Sequence, residues 1–153
     1  MAAIKEWFTV YAFMFDYVRE IGGEEGLEEY LTFLGVELGD LAADSEKKEK
    51  LEALRDYFEK NIHKDGGACE LTLDGGRLDI DIELCPDHLY FASLSDGTPP
   101  FKIDYCTCCK SVHRALAASW GLTFAVDGPV VSDDGQFSCS FAFCDIERGG
   151  KQP

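Results

Sequence analysis

The chain has 153 residues, enough to bury a single hydrophobic core without disulfides or metal holding the fold. Its 29 acidic and 14 basic side chains give a formal net charge of −15, which repels phosphate backbones and anionic lipid and so excludes nucleic acid and membrane surfaces as expected partners. Seven cysteines are an odd number, and the first helical stretch carries Lys5, Glu6, Asp16 and Arg19 rather than a membrane span or signal-peptide pattern, so a reduced, cytoplasmic protein is expected.

In chain order, Ile4, Trp7, Phe8, Tyr11, Phe15 and Val18 recur at helical spacing and predict a core helix over residues 4–20, ending at Gly22-Gly23. A second helix is predicted from Glu24 to about Leu38, with Leu27, Tyr30, Leu31, Leu34 and Leu38 inward and Gly39 as its stop. Asp44 or Ser45 is expected to cap a third helix over residues 46–62, with Leu51, Leu54, Phe58 and Ile62 as the buried stripe and the charge run from Glu46 solvated.

At Gly66-Gly67 the period changes to two. Cys69, Leu71 and Leu73, then Leu78, Ile80, Ile82 and Leu84, predict a hairpin turning at Asp74-Gly75-Gly76-Arg77, with Asp79, Asp81 and Glu83 on its wet face. Residues 87–101 form a connector broken by Gly97 and Pro99-Pro100, suited to one wall of a pocket. A helix is predicted from about Thr107 to before Gly121 on the line Cys109, Val112, Leu116 and Trp120. Strands are expected over 122–126, 130–132 and 136–144, separated by turns at Asp127-Gly128-Pro129 and Asp133-Asp134-Gly135. The expected architecture is one α+β domain over residues 1–148, with N-terminal helices on a C-terminal antiparallel sheet and one inserted helix, followed by a disordered tail at 149–153.

Chemistry concentrates in Asp104-Tyr105-Cys106-Thr107-Cys108-Cys109-Lys110-Ser111-Val112-His113, where a loop feeds a helix. Cys106-x2-Cys109-x3-His113 has ligand types and spacing that zinc accepts, with Cys85 or Cys139 to complete four-coordination. The same position suits a nucleophile, because a helix N-terminus favours thiolate and His113, one turn from Cys109, has the place of a general base. The third reading is a set of inert buried thiols. Arg114 is a candidate for holding a substrate carboxylate, and Tyr105, Tyr11, Tyr17 and Trp7 are candidates for a pocket wall. His88, three residues after Cys85, is a further ligand or base candidate or else a solvated loop histidine. Cys139 shares a strand face with Phe137, Phe141 and Phe143, whereas Cys69 and Cys144 are read as structural.

From Cys85 onward the chain resembles the 2-amino-thiazoline-4-carboxylic acid hydrolase-like family, a relative of vinyl-reductase-type small-molecule-binding domains. The resemblance rests on Cys85-Pro86 closing a strand, the cysteine cluster opening a helix, and the Gly135, Cys139, Phe141 strand. It implies helices on an antiparallel sheet, with either ring-opening hydrolysis of a small thiazoline or a ligand cavity beside a structural zinc site. Cys108 is a thiol beyond that pattern.

The leading expectation is therefore hydrolysis of a C–N or C–S bond in a small molecule at a Cys106, Cys109 and His113 site, either by a thiolate or by zinc-activated water. The alternative is a non-catalytic zinc- and small-ligand-binding module. Thiol redox chemistry ranks third, because no thioredoxin-like βαβ pattern surrounds the cysteines. Exposed aromatic surface on the first two helices also admits a homodimer.

Overall fold

A computed structural model describes residues 2–43, 49–93, 101–131 and 137–146, with the side chains of residues 2–6 left aside. The elements run α1 (Ala2–Ala42), α2 (Lys50–Lys64), β1 (Ala68–Asp74), β2 (Arg77–Leu84), α3 (Pro86–Ala92), α4 (Tyr105–Ser119), β3 (Leu122–Val131) and β4 (Phe137–Asp145). They form the expected α+β arrangement of N-terminal helices on an antiparallel sheet, whose strand order is β1-β2-β4-β3.

The hairpin forms because Asp74 pairs with Arg77 across Gly75 and Gly76, whose φ values of 54° and 91° lie in the region a tight two-residue turn requires. Period-two alternation then carries Leu78 and Ile80 to one face, directly across from Phe143 and Phe141 of β4. On that face Leu51, Leu54, Phe58 and Ile62 of α2 and Leu116 and Ala117 of α4 complete the main core. A second core, between α1 and α4, gathers Ala12, Phe15, Leu27 and Leu31 with Phe101, Ile103 and Cys108.

The two predicted N-terminal helices meet in α1 at a sharp break at Gly23, whose φ of 66° and ψ of −166° leave the helical path and let Phe15 of the first come within 6.2 Å of Tyr30 of the second. Gly39 does not stop the helix, which continues to Ala42. Its role is spatial, since a Cβ there would stand 2.8 Å from Trp120 Nε1. Gly35 sits closer still: an added Cβ would lie 2.5 Å from the Val112 carbonyl oxygen and 2.8 Å from the Leu116 nitrogen, so α1 and α4 touch backbone to backbone. Trp7, expected inward, points to solvent at 59% exposure.

Three further boundaries differ from expectation. The connector after Cys85 opens with α3, because Pro86 occupies its first turn, where a missing N–H costs nothing. The inserted helix begins at Tyr105 rather than Thr107, because the Asp104 carboxylate accepts from the Cys106 and Thr107 N–H groups and caps it. Asp127-Gly128-Pro129 is not a reversal. β3 runs through it to Val131, with a register irregularity between Asp127 and Val130 and a cis Gly128–Pro129 bond. The proposed Asp44 and Ser45 caps, the charged residues 46–48, Gly97 with Pro99-Pro100, the Asp133-Asp134-Gly135 turn and the 149–153 tail lie outside the described residues.

The backbone contact at Gly35 predicts that Gly35→Ala destabilises the fold by about 1–3 kcal/mol despite the better helix propensity of alanine, because the atoms it meets are main chain. Gly39→Ala meets only side chains that can rotate and should cost less. Urea unfolding of both variants measures the difference, and equal stability of Gly35→Ala and wild type would contradict the close approach.

Candidate functional site

The residues singled out from the sequence converge on one cavity of about 410 Å³ between α1, α2, α4 and the sheet. Cys85, Cys106, Cys109, Cys139 and His113 all line it, as do Tyr11 and Tyr105. α4 supplies the centre because its capped start places Cys106, Cys109 and His113 on successive turns of one side. Cys139 arrives from β4 opposite Ile82 of β2, and Cys85 from the end of β2 at the start of α3.

The remaining candidates fall elsewhere. Arg114 is exposed and is not part of the cavity wall, so no guanidinium reaches the space from that position. His88 stacks on Phe137, with ring centroids 4.3 Å apart and planes at 18°. Tyr17 and Trp7 face solvent. Cys108 is 2% exposed and packs into the α1–α4 core. Cys144 lies near the Arg77 guanidinium, 3.8 Å from its Nη1.

His113 is held by rings rather than by a carboxylate. Phe58 meets it edge-on at 5.1 Å, Phe141 stacks on it at 5.1 Å and 26°, and Phe124 stands at 6.2 Å. Burial among them drives its pKa down to about 4, so the imidazole is neutral at physiological pH. Its Nδ1 lies 3.8 Å from Cys109 Sγ. That contact joins a neutral imidazole to a protonated thiol, because burial also pushes the Cys109 pKa well above its usual value.

The other thiols behave alike. Burial raises Cys85 to about 12, with the Asp87 charge adding to it, and raises Cys106 and Cys139 as well. The favourable field expected at the start of α4 is therefore outweighed by loss of water. Mutual repulsion adds to the effect at Cys109, since Asp87, Cys85, Cys106 and Cys139 each raise it further.

Sequence reasoning passed over Asp87 and Asp65, which also line the cavity. Burial raises the Asp87 carboxyl to about 7, and the Asp65 charge pushes the same way. Burial likewise raises Asp65 itself, with Lys64 opposing. The available signal was Asp87 in the first turn of a proline-started helix directly after Cys85. Phe58 was legible as core but not as the ring that holds His113.

Zinc needs its ligands converging on one point about 2.0–2.3 Å from each donor. Cys85, Cys106, Cys109, Cys139 and His113 share one cavity, but among the described residues no group of three or more His, Cys, Asp or Glu side chains is placed to hold a metal ion. The arrangement shown is a space walled by aromatic rings and thiols, with Glu37, Asp65, Asp87 and Lys110 also in its lining. No helix among the described residues is long and apolar enough to cross a membrane. No protein-family model matches the chain, and no curated protein matches it.

The two displaced pKa values have opposite consequences for stability. His113 falls from 6.5 to about 4 on folding, so its contribution is full above pH 6.5 and is lost as pH falls toward 4. Asp87 rises from 3.8 to about 7, so its contribution is full below pH 3.8 and is lost as pH climbs toward 7. Between pH 4 and 6.5 the two oppose each other. Asp87→Asn should therefore show a melting temperature that rises more steeply with pH over this window than that of wild type, and His113→Phe one that falls. Identical pH profiles for all three proteins would contradict the burial assigned to both groups.

Proposed function

We propose that the protein binds a small, largely apolar molecule in the cavity, in the manner of a ligand carrier or sensor module. The observation that carries this reading is the cavity itself. About 410 Å³ falls within the range of small-molecule sites, and the walls are mainly rings, aliphatic side chains and thiols, with Glu37, Asn61, Asp65, Asp87 and Lys110 as polar members. Protonated thiols and a neutral imidazole suit such a ligand, because none of them brings a charge that the ligand would have to desolvate.

A second reading is favoured by the Cys109–His113 contact. In a hydrolase acting on a C–N or C–S bond, such as that of a thiazoline, Cys109 Sγ would attack the electrophilic carbon as its proton passes to His113 Nδ1. The imidazolium would then return that proton to the departing nitrogen or sulfur, and water would add to the carbon held on sulfur and release Cys109 as the thiol. The raised thiol pKa weighs against this order of roles, which is why binding comes first. Zinc shared among the cavity thiols is the rival occupant and is separated by metal analysis of protein purified without added metal.

N-phenyl-1-naphthylamine, a neutral apolar dye that fluoresces in dry sites, tests the binding reading. It should bind once per chain, and Cys139→Phe, which fills the cavity, should weaken it roughly tenfold or more while the fold is retained. Absence of binding, or binding indifferent to the filled cavity, would overturn the reading. Ring opening of 2-aminothiazoline-type compounds by wild type, lost in Cys109→Ser, would put the hydrolase reading first.

A further inference from the structure

The N-terminal half of α1 carries apolar side chains on two sides, and among the described residues only one of them faces the cavity and core. Phe8, Tyr11 and Phe15 turn toward the cavity. On the other side Trp7, Val10, Met14, Tyr17 and Ile21 follow one another at intervals of three, four, three and four residues and are 59%, 49%, 39%, 58% and 68% exposed. Alternating three and four is the 3.5-residue repeat of a seam that packs against another helix, with side chains of each helix filling holes on the other. A surface that merely tolerates stray apolar residues has no reason to keep that phase over two heptads.

We infer that this seam is a self-association surface on which α1 of a second copy of the chain packs in a two-fold dimer.

Area and charge both favour a second copy as the occupant. Trp7, Tyr17 and the adjoining Phe13, 47% exposed, each leave about half of a large ring surface in solvent. With Val10, Met14 and Ile21 the face offers roughly 600 Å² per copy, and two copies reach the ~1,200 Å² at which stable interfaces begin. The chain as a whole is strongly acidic, yet from Trp7 to Ile21 the charged side chains are Asp16, Arg19 and Glu20, and Arg19 pairs with Asp16 at 3.3 Å. Two such seams meet without bringing like charges together, although the molecules repel elsewhere. An isologous contact also needs no second surface, since each seam supplies both the knobs and the holes.

Sedimentation equilibrium of the full chain tests this across a wide concentration range. Wild type should shift toward twice the 17.0 kDa chain mass as concentration rises. The double substitution Met14→Lys with Tyr17→Lys should weaken the dimer by roughly thirtyfold or more, as expected for charges placed at the centre of an interface. Trp7→Leu with Tyr17→Leu keeps the seam apolar and should still dimerise, whereas Val131→Lys, an exposed apolar site outside the seam, should leave the equilibrium unchanged. Circular dichroism confirms that each variant is folded. A wild type that stays monomeric throughout overturns the inference, as does a dimer unaffected by the two lysines. Monomeric protein captured instead by zwitterionic phosphatidylcholine vesicles would overturn it in favour of a lipid surface.

Discussion

The site depends on α4 being gripped from two sides. Toward α1, Gly35 lets the two helix backbones touch, and Cys108, Phe15 and Leu31 close the space around that contact. Toward the sheet, Leu116 and Ala117 enter the main core, and His113 lies between the rings of Phe58 and Phe141. A helix fixed on both flanks cannot roll, so the side carrying Cys106, Cys109 and His113 is held against the cavity. The cavity is thus a consequence of how the layers meet.

That placement decides the chemistry of the thiols. A helix start lowers a thiol pKa when water and donors can reach the sulfur, as in an open nucleophilic site. Here water is lost at the same time, and desolvation is the largest influence on Cys85, Cys106, Cys109 and Cys139 alike. Four soft donors and an imidazole around one space would suggest zinc on composition alone. Among the described residues, however, no three of them are grouped to hold a metal ion. Asp87 adds to this logic, since its carboxyl sits at the same edge and is itself pushed toward the neutral form.

Much of the fold was legible from pattern. The buried stripe of α2, the alternation of Leu78 and Ile80, and the Gly75-Gly76 turn each follow from local periods that packing then reinforces. Failures came where a residue's role was set by something distant in sequence. Gly39 read as a helix stop because its need for space is imposed by Trp120, eighty-one positions on. Trp7 read as inward because the sequence shows an apolar period without showing which apolar side is used at home. Asp127-Gly128-Pro129 has turn composition but is absorbed into a continuous strand by pairing with β4.

At the site, residue types and their local grouping were readable and their protonation was not. Cys109 and His113 were expected on adjacent turns, and they are. The rings that hold His113 come from α2, β3 and β4, so its neutral state could be seen only after folding. The account turns on the thiols being shielded and protonated, and timed iodoacetamide labelling of the native protein at pH 7.5, read cysteine by cysteine by mass spectrometry, tests this most directly. Cys85 and Cys109 should remain unmodified over a period in which all seven cysteines react in denaturant. Rapid modification of Cys109 in the native protein would contradict the account and mark that sulfur as an accessible thiolate.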